Sequence, residues 1–316
     1  MASSSVSQCV LGVDLGGTKI ALGLVTRDGH VVAETTVPTR PEDGPGQAVE
    51  RLVAAARELA AAGGLQPLAA GVGAPGPLDL PAGRFTRSPN LPGWDGFPLR
   101  DELAARLGLP VWVDNDANVA ALAEARVGAG KDARVMLYVT VGTGIGGGLV
   151  IGGRLFSGAN GNGLEIGHVT VDPDGPPCGC GNRGCWEALA SGPALGRMAD
   201  GRLGRNPRSD DGRWTAADVL ALAEEGDAAA RALMEEYAGW LGLGLASMVN
   251  AFNPDRVVLG GGVMRRYALL APVMEAEMRR RALAANAAVA RLCPASLGGR
   301  AGLLGAAMLA WDGLAG

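Results

Sequence analysis

The stretch VDLGGTKIALGLV, residues 13–25, and the stretch VTVGTGIGGGLVI, residues 139–151, decide how this chain folds. Each reads as an apolar strand, a glycine turn and a second apolar strand, and the two begin 126 positions apart. Working outward from the first copy, residues 9–15 form the leading strand and residues 20–25 the return. Asp28-Gly29 then gives a hairpin signal ahead of a third strand at 31–37. A β-meander opens the fold, not a strand-to-helix crossover. Apolar residues at helical spacing predict an amphipathic helix over 46–62, stopped by Gly63-Gly64. A short buried strand at 68–72, a loop-rich stretch at 73–94, a helix at 99–107, a strand at 111–113 and a helix at 117–127 follow. The second copy supplies strands at 135–141, 149–151 and 155–156, with glycines 142–148 between the first two. The C-terminal third is helical around 215–252 and 263–284, with a strand at 256–259 leading into Gly260-Gly261-Gly262 and a final helix near 301–311. The repeat implies duplication of one βββαβα unit.

Composition narrows the function. Lys plus Arg is 28 against 32 Asp plus Glu, a net charge of −4, which leaves no electrostatic footprint for nucleic acid or an anionic membrane. With 48% hydrophobic and 19% charged residues the chain is globular, not disordered. The longest uncharged apolar run, 237–252, falls short of a membrane span and reads as a buried helix. No basic residue precedes Lys19, so no secretory leader is expected and a cytoplasmic location is. Five cysteines, three of them between Cys178 and Cys185, suit a metal cluster better than a disulfide framework.

That cluster is the strongest chemical signal. His168, Cys178, Cys180 and Cys185 make a closed tetrahedral set, the composition of structural zinc sites rather than of catalytic ones, which keep an open position. Cys9 and Cys293 are left over as core thiols, and His30 sits in a hairpin as a solvated residue. The first glycine turn, Asp14-Leu15-Gly16-Gly17-Thr18-Lys19, offers backbone N–H groups, a hydroxyl and a cation to a phosphate, and Asp14 could hold magnesium through water; it also reads as a plain hairpin turn. It lacks Walker A spacing. The second, Gly142-Thr143-Gly144-Ile145-Gly146-Gly147-Gly148, formally contains the dinucleotide fingerprint, but a strand follows where that fingerprint needs a helix. Gly260-Gly261-Gly262 fits either a tight turn or a nucleotide contact. In Asp114-Asn115-Asp116-Ala117-Asn118, either Asn115 or Asp116 serves as a helix N-cap, and a carboxylate at a strand end also suits a general base.

Together these motifs resemble the ROK family (repressor, open reading frame, kinase), sugar kinases of the actin-like ATPase superfamily. The resemblance rests on DLGGTK at 14–19, GAPGPLD at 73–79, NLPGW at 90–94, DNDANVAAL at 114–122, GTGIGGG at 142–148, EIGH at 165–168, CGCGNRGCWE at 178–187 and LGGG at 259–262. Within the family the chain looks most like the ATP-dependent bacterial glucokinases. The resemblance implies an α/β fold of two RNase H-like domains with a cleft between them: 1–120 with the helix 301–316, and 121–300 with the zinc site and helical insertions. It implies that Asp116 takes the proton from the C6 hydroxyl of glucose as that oxygen attacks the γ-phosphate of ATP. Gly76, Asn90, Asn115, Glu165, His168 and Glu187 are then sugar ligands, His168 sharing its imidazole between zinc and sugar. Asp14, Gly16, Gly17, Thr18, Lys19, Gly142, Thr143 and Gly144 match the phosphate loops, and Gly261 and Gly262 the adenosine site. Implied too are structural zinc, magnesium with ATP, and a homodimer or homotetramer. One departure stands out: Gly163-Leu164 precedes Glu165 where many relatives have Ala-Gly.

One alternative lies within the same class and two lie outside it. Another hexose or an N-acetylhexosamine would use the same chemistry. A sugar-responsive repressor of this family would carry a helix-turn-helix before a first strand that here begins at Cys9, and the net charge is negative. A zinc hydrolase is disfavoured because His and three Cys leave no coordination position for water.

Overall fold

The computed structural model describes residues 8–88 and 91–316. The opening meander forms as read: β1 (Cys9–Leu15), β2 (Lys19–Thr26) and β3 (Val31–Pro38) pair antiparallel in turn. Helix α1 (Pro45–Gly63) buries Val49, Leu52, Ala56 and Leu59, and Gly64 ends it in the left-handed conformation at φ 62°. Strand β4 (Ala70–Ala74) lies slightly beyond the expected run. The stretch 73–94, expected as loop, contains a hairpin of β5 (Leu78–Asp79) and β6 (Arg84–Phe85). Phe85 holds it down, its ring 5.4 Å from that of Trp94 in an edge-on contact that leaves no periodic trace in the sequence. Helix α2 (Leu99–Leu107), β7 (Val111–Asn115) and α3 (Asp116–Val127) complete the first half.

The second half repeats the meander with β8 (Val135–Val141), β9 (Ile145–Ile151) and β10 (Arg154–Phe156). Gly146, Gly147 and Gly148, read as part of a turn, lie inside β9. Helices α4 (Trp186–Ala190) and α5 (Gly192–Leu203) follow where glycine and proline mask any helical period. The helical region at 215–252 divides into α6 (Ala216–Glu225) and α7 (Ala228–Phe252), because Gly226 turns at φ 101° and the Asp227 carboxylate caps the new helix by accepting from Ala230 N at 2.8 Å. Then come β11 (Arg256–Gly260), α8 (Tyr267–Arg281), α9 (Ala284–Val289), β12 (Arg291–Pro294) and α10 (Ala301–Ala315). Strand β12, RLCP, has no apolar run to mark it in the sequence and forms by pairing parallel with β11. Among the described residues no helix is long and apolar enough to cross a membrane.

Both five-stranded sheets have one order: β3-β2-β1-β4-β7, and β10-β9-β8-β11-β12. In each, the first strand of the meander pairs parallel with the strand after the helical crossover, β1 with β4 and β8 with β11, and a further parallel strand closes the row. This is the pattern a duplicated unit produces.

The chain divides into two compact units, one of residues 1–132, 148–163 and 296–316, the other of 133–147 and 164–295. The expected division was 1–120 with 301–316 against 121–300. The first unit instead keeps all of α3, because α3 packs along α10. Inside it, alternate residues of β1 face opposite cores: Leu11, Val13 and Leu15 join Leu52 of α1 and Leu103 of α2, while Val10 joins Leu122 of α3 and Leu304 of α10. Each fully buried Leu contributes about 2 kcal/mol. Gly71 on β4 is required by this layering, since a Cβ there would overlap the Ala306 carbonyl of α10.

Candidate active site

In the first unit the candidate residues gather at the C-terminal ends of the parallel strands, where open α/β sheets bind ligands. The register sets Asp14 beside Gly73, and Gly73 beside Asp114. Burial pushes the Asp14 carboxyl above its ordinary value, with the Lys19 charge opposing. The turn that follows is closed by Gly16 N donating to Lys19 O at 3.0 Å and pinned by Thr39 Oγ1 donating to Gly16 O at 2.6 Å. Thr18 and Lys19 are left exposed beside Gly17. Asp114 is buried, and its Oδ1 accepts from Asn115 N at 2.7 Å and Asn118 Nδ2 at 2.8 Å; desolvation raises its pKa. The choice of N-cap is resolved: Asn115, in extended backbone, caps α3 by accepting from Ala117 N at 2.9 Å, and Asp116 is the first helical residue. Asp116 Oδ1 accepts from that same N–H at 2.7 Å, which orients its carboxylate. Gly76 lies against Asn115, a Cβ there falling 3.1 Å from Asn115 Nδ2. Asn90 lies outside the described residues.

The second unit brings its own set together. Gly142, Thr143 and Gly144 leave β8, and Gly261 and Gly262 leave its parallel neighbour β11 so closely that a Cβ on Gly261 would overlap the Val141 carbonyl. Glu165 and His168 flank one tight turn, with His168 N donating to Glu165 O at 3.0 Å. The turn is seated on β9 by Ile166, which fills the space a side chain at Gly147 would need. Leu164, the residue that departs from the family pattern, is buried in the left-handed conformation at φ 66°, where glycine is at ease and a branched side chain is not. Glu187, at the start of α4, reaches the glycine loop: its Oε2 accepts from Ile145 N at 3.0 Å.

The four cluster residues converge. Their ligand atoms all lie within 4.8 Å of one another, with Cys178 Sγ 3.7 Å from His168 Nδ1 and Cys180 Sγ 3.7 Å from Cys185 Sγ. A tetrahedron built on ordinary Zn–S and Zn–N bonds has edges of about 3.5–3.8 Å, so the donor set fits such a metal. Burial pushes the Cys185 thiol up to about 12, while the backbone N–H of Asn182 lowers that of Cys180. Cys178 also lines a cavity of about 400 Å3 with Thr143, Glu187, Ser191 and Arg197. Ser191 and Arg197 escaped the sequence reading. A Ser two residues ahead of Pro193 is an N-cap signal, and Ser191 does cap α5, but nothing in sequence aims it at a cavity.

A model of the ROK family matches residues 10–312. The chain belongs to the ROK family. Its similarity to ROK glucokinases is spread over nearly the whole length: 38% identity to the glucokinase of Halalkalibacterium halodurans, covering 95% of this chain and 94% of that one, and 37% to that of Streptomyces coelicolor, covering 95% and 96%. Among solved structures, the ROK hexokinase of Thermus thermophilus superposes with a TM-score of 0.86 at 40% identity over 98% of this chain and 99% of that one. A ROK glucokinase of Streptomyces griseus, in complex with glucose and AMPPNP, gives 0.80 at 38% identity over 96% and 99%. The fold is that of the actin-like ATPase superfamily, as the ROK motifs implied.

Proposed function

We propose that this protein is a glucokinase that transfers the γ-phosphoryl group of ATP to the C6 hydroxyl of glucose. The observation that carries this reading is the likeness, over 96% of the chain, to a ROK glucokinase in complex with glucose and AMPPNP. Asp116 is the general base. It accepts the proton of the C6 hydroxyl as that oxygen bonds to the γ-phosphorus and the bond from phosphorus to the β,γ-bridging oxygen breaks, releasing ADP. The Ala117 N–H on Asp116 Oδ1 supports this role, because it fixes the carboxylate's direction before the sugar arrives. Asn115, Glu165, His168 and Glu187, with Gly76 and Asn90, bind the sugar. Gly16 to Lys19 and Gly142 to Gly144 take the phosphates, Asp14 the magnesium that accompanies ATP, and Gly261 and Gly262 the adenosine.

His168, Cys178, Cys180 and Cys185 hold a structural zinc ion, which supplies rigidity rather than a reactive water. His168 Nδ1 faces Cys178, so Nε2 is the nitrogen directed to the sugar, and the metal fixes the ring's orientation.

ADP release from Mg-ATP across glucose, mannose, fructose, N-acetylglucosamine and N-acetylmannosamine tests the reading. A kcat/KM for glucose at least tenfold above the others is expected. A preference for an acetamido sugar would keep the mechanism and move specificity to the turn after Leu164. Absence of turnover on every sugar by folded, metal-loaded protein would overturn it.

A further inference from the structure

We infer that Glu187 is a positioning residue as well as a sugar ligand: one carboxylate holds the phosphate loop of the second unit, making sugar and nucleotide binding interdependent. The inference rests on the reading above that Glu187 meets the sugar.

The segment Cys185-Trp186-Glu187 is built to be stiff. Cys185 is a buried member of the metal cluster. Trp186 is fully buried, its Nε1 donates to Trp240 O at 3.0 Å, and its ring occupies the space beside Gly244 of α7. From this anchor the Glu187 carboxylate reaches the loop between β8 and β9. Oε2 accepts from Ile145 N at 3.0 Å, directly after Gly144, and a Cβ on Gly144 would overlap that same oxygen. The other end of the loop is tied to the same helical corner, since Gly192 N donates to Gly142 O at 2.8 Å. Thr143, at the loop's tip, and Glu187 line one cavity. A sugar hydroxyl drawn to the carboxylate therefore pulls on the group that sets the loop, and by linkage a nucleotide seated on the loop changes sugar affinity by the same factor.

Gly144→Ala isolates the effect. The added methyl meets only the far end of a flexible side chain, and Gly144 is outside the left-handed region, so the variant displaces the Glu187 carboxylate without removing it. Glucose affinity is measured by calorimetry without nucleotide for wild type, Glu187→Ala, Gly144→Ala and the double variant, with metal content and thermal melting as folding controls. Glu187→Ala should weaken glucose at least tenfold and Gly144→Ala at least fivefold, while the double variant should stay within twofold of Glu187→Ala. AMPPNP should bind at least fivefold tighter to wild type when glucose is saturating, a gain absent from Glu187→Ala and partly kept in Glu187→Gln, which retains an acceptor for Ile145 N. Glucose affinity in Gly144→Ala within twofold of wild type, or multiplicative losses in the double variant, would overturn the inference while leaving Glu187 as a sugar ligand. Unchanged glucose affinity in Glu187→Ala would remove the sugar-ligand reading itself, and the inference with it. Should Gly144→Ala fail to fold, the AMPPNP comparison across wild type, Glu187→Ala and Glu187→Gln decides alone: a glucose-induced gain that persists in Glu187→Ala overturns the inference.

Discussion

The two glycine loops occupy equivalent places in two sheets of identical strand order, yet their glycines serve different physical ends. At Gly16 the chain makes a hairpin turn closed on Lys19, with Thr18 and Lys19 exposed. In the second loop, Gly144 admits the Glu187 carboxylate, and Gly147 and Gly148 lie within β9 and admit Ile166 and the Ala121 side chain of α3. One loop uses glycine to leave a turn open, the other to let neighbours approach. The same letters in the same topological slot thus encode access in one sheet and close packing in the other. The first unit carries the proposed base, and the second carries the His/Cys cluster proposed to hold a metal and the buried Trp186 beside it.

The sharpest way to break that division is Asp116→Asn. It should lower kcat by a hundredfold or more while glucose affinity and metal content stay near wild type. More than a few per cent of residual turnover would move the base elsewhere.

Metal removal probes the other side. A metal held at about 1,000 times its Kd adds roughly 4 kcal/mol to stability, on the order of 10 °C in Tm for a unit of this size. Cys180→Ser, or a strong chelator, should lose metal and most of that margin together. Full occupancy in Cys180→Ser, measured by elemental analysis, would strike that residue from the ligand set.

A matched pair of alanines sharpens the comparison of the loops. In Gly167→Ala, on the turn that packs against the second loop, the new Cβ would overlap the carbonyl of Ile145, the residue after that loop's Gly144 and a backbone atom that cannot swing aside. Overpacking of this kind costs about 2 kcal/mol, so Tm should fall by roughly 5 °C. In Gly16→Ala the Cβ would stand 3.0 Å from Lys19 O, and the chief effect should be a raised KM for ATP with Tm little changed. Equal losses of Tm in both variants would erase the contrast between an open turn and packed glycines.

The smallest effect is expected at Asp114. Burial raises its pKa in the folded chain, so the folded state binds the proton more tightly than the unfolded one. That favourable contribution is complete below about pH 4, the ordinary carboxylate value, and is lost as pH rises through the folded value. Asp114→Asn keeps an Oδ1 acceptor for Asn115 N and Asn118 Nδ2 and carries no charge to bury. Its Tm at pH 7 should equal or slightly exceed that of wild type, and the difference should fade as pH approaches 4. A Tm at pH 7 clearly below wild type would show that the ionised carboxylate itself holds this strand end.

Much of this was legible in the chain because it is local. The strands expected at 9–15 and 135–141 and the helix expected at 99–107 match the structure to the residue, since predominantly apolar strands and a helix followed by Gly108 need little help from elsewhere. The candidate metal ligands stand out by residue type, as few groupings other than a metal site bring three thiols and an imidazole so close in sequence. The hairpin of β5 and β6, the break at Gly226, and α4 and α5 were not read, for each is stabilised by a contact or a cap that leaves no period. The choice between Asn115 and Asp116 as cap was likewise open, because both carry an oxygen at the right distance from the same N–H.

The sequence by itself determined the duplicated order of elements, the cluster of candidate metal ligands and the family, since these reside in pattern and residue type. Only the tertiary structure decided that Asp14 and Asp114 stand level across Gly73, that Asp116 is the first helical residue behind an Asn115 cap, that Leu164 turns left-handed before Glu165, and that Glu187 reaches the Gly144 loop. The cap and the left-handed turn are local choices that residue type leaves open. The level of the two aspartates and the reach of Glu187 depend on which atoms from distant parts of the chain come within pairing or hydrogen-bonding distance. Strand register and helix seating set that proximity, and no stretch of sequence contains it alone.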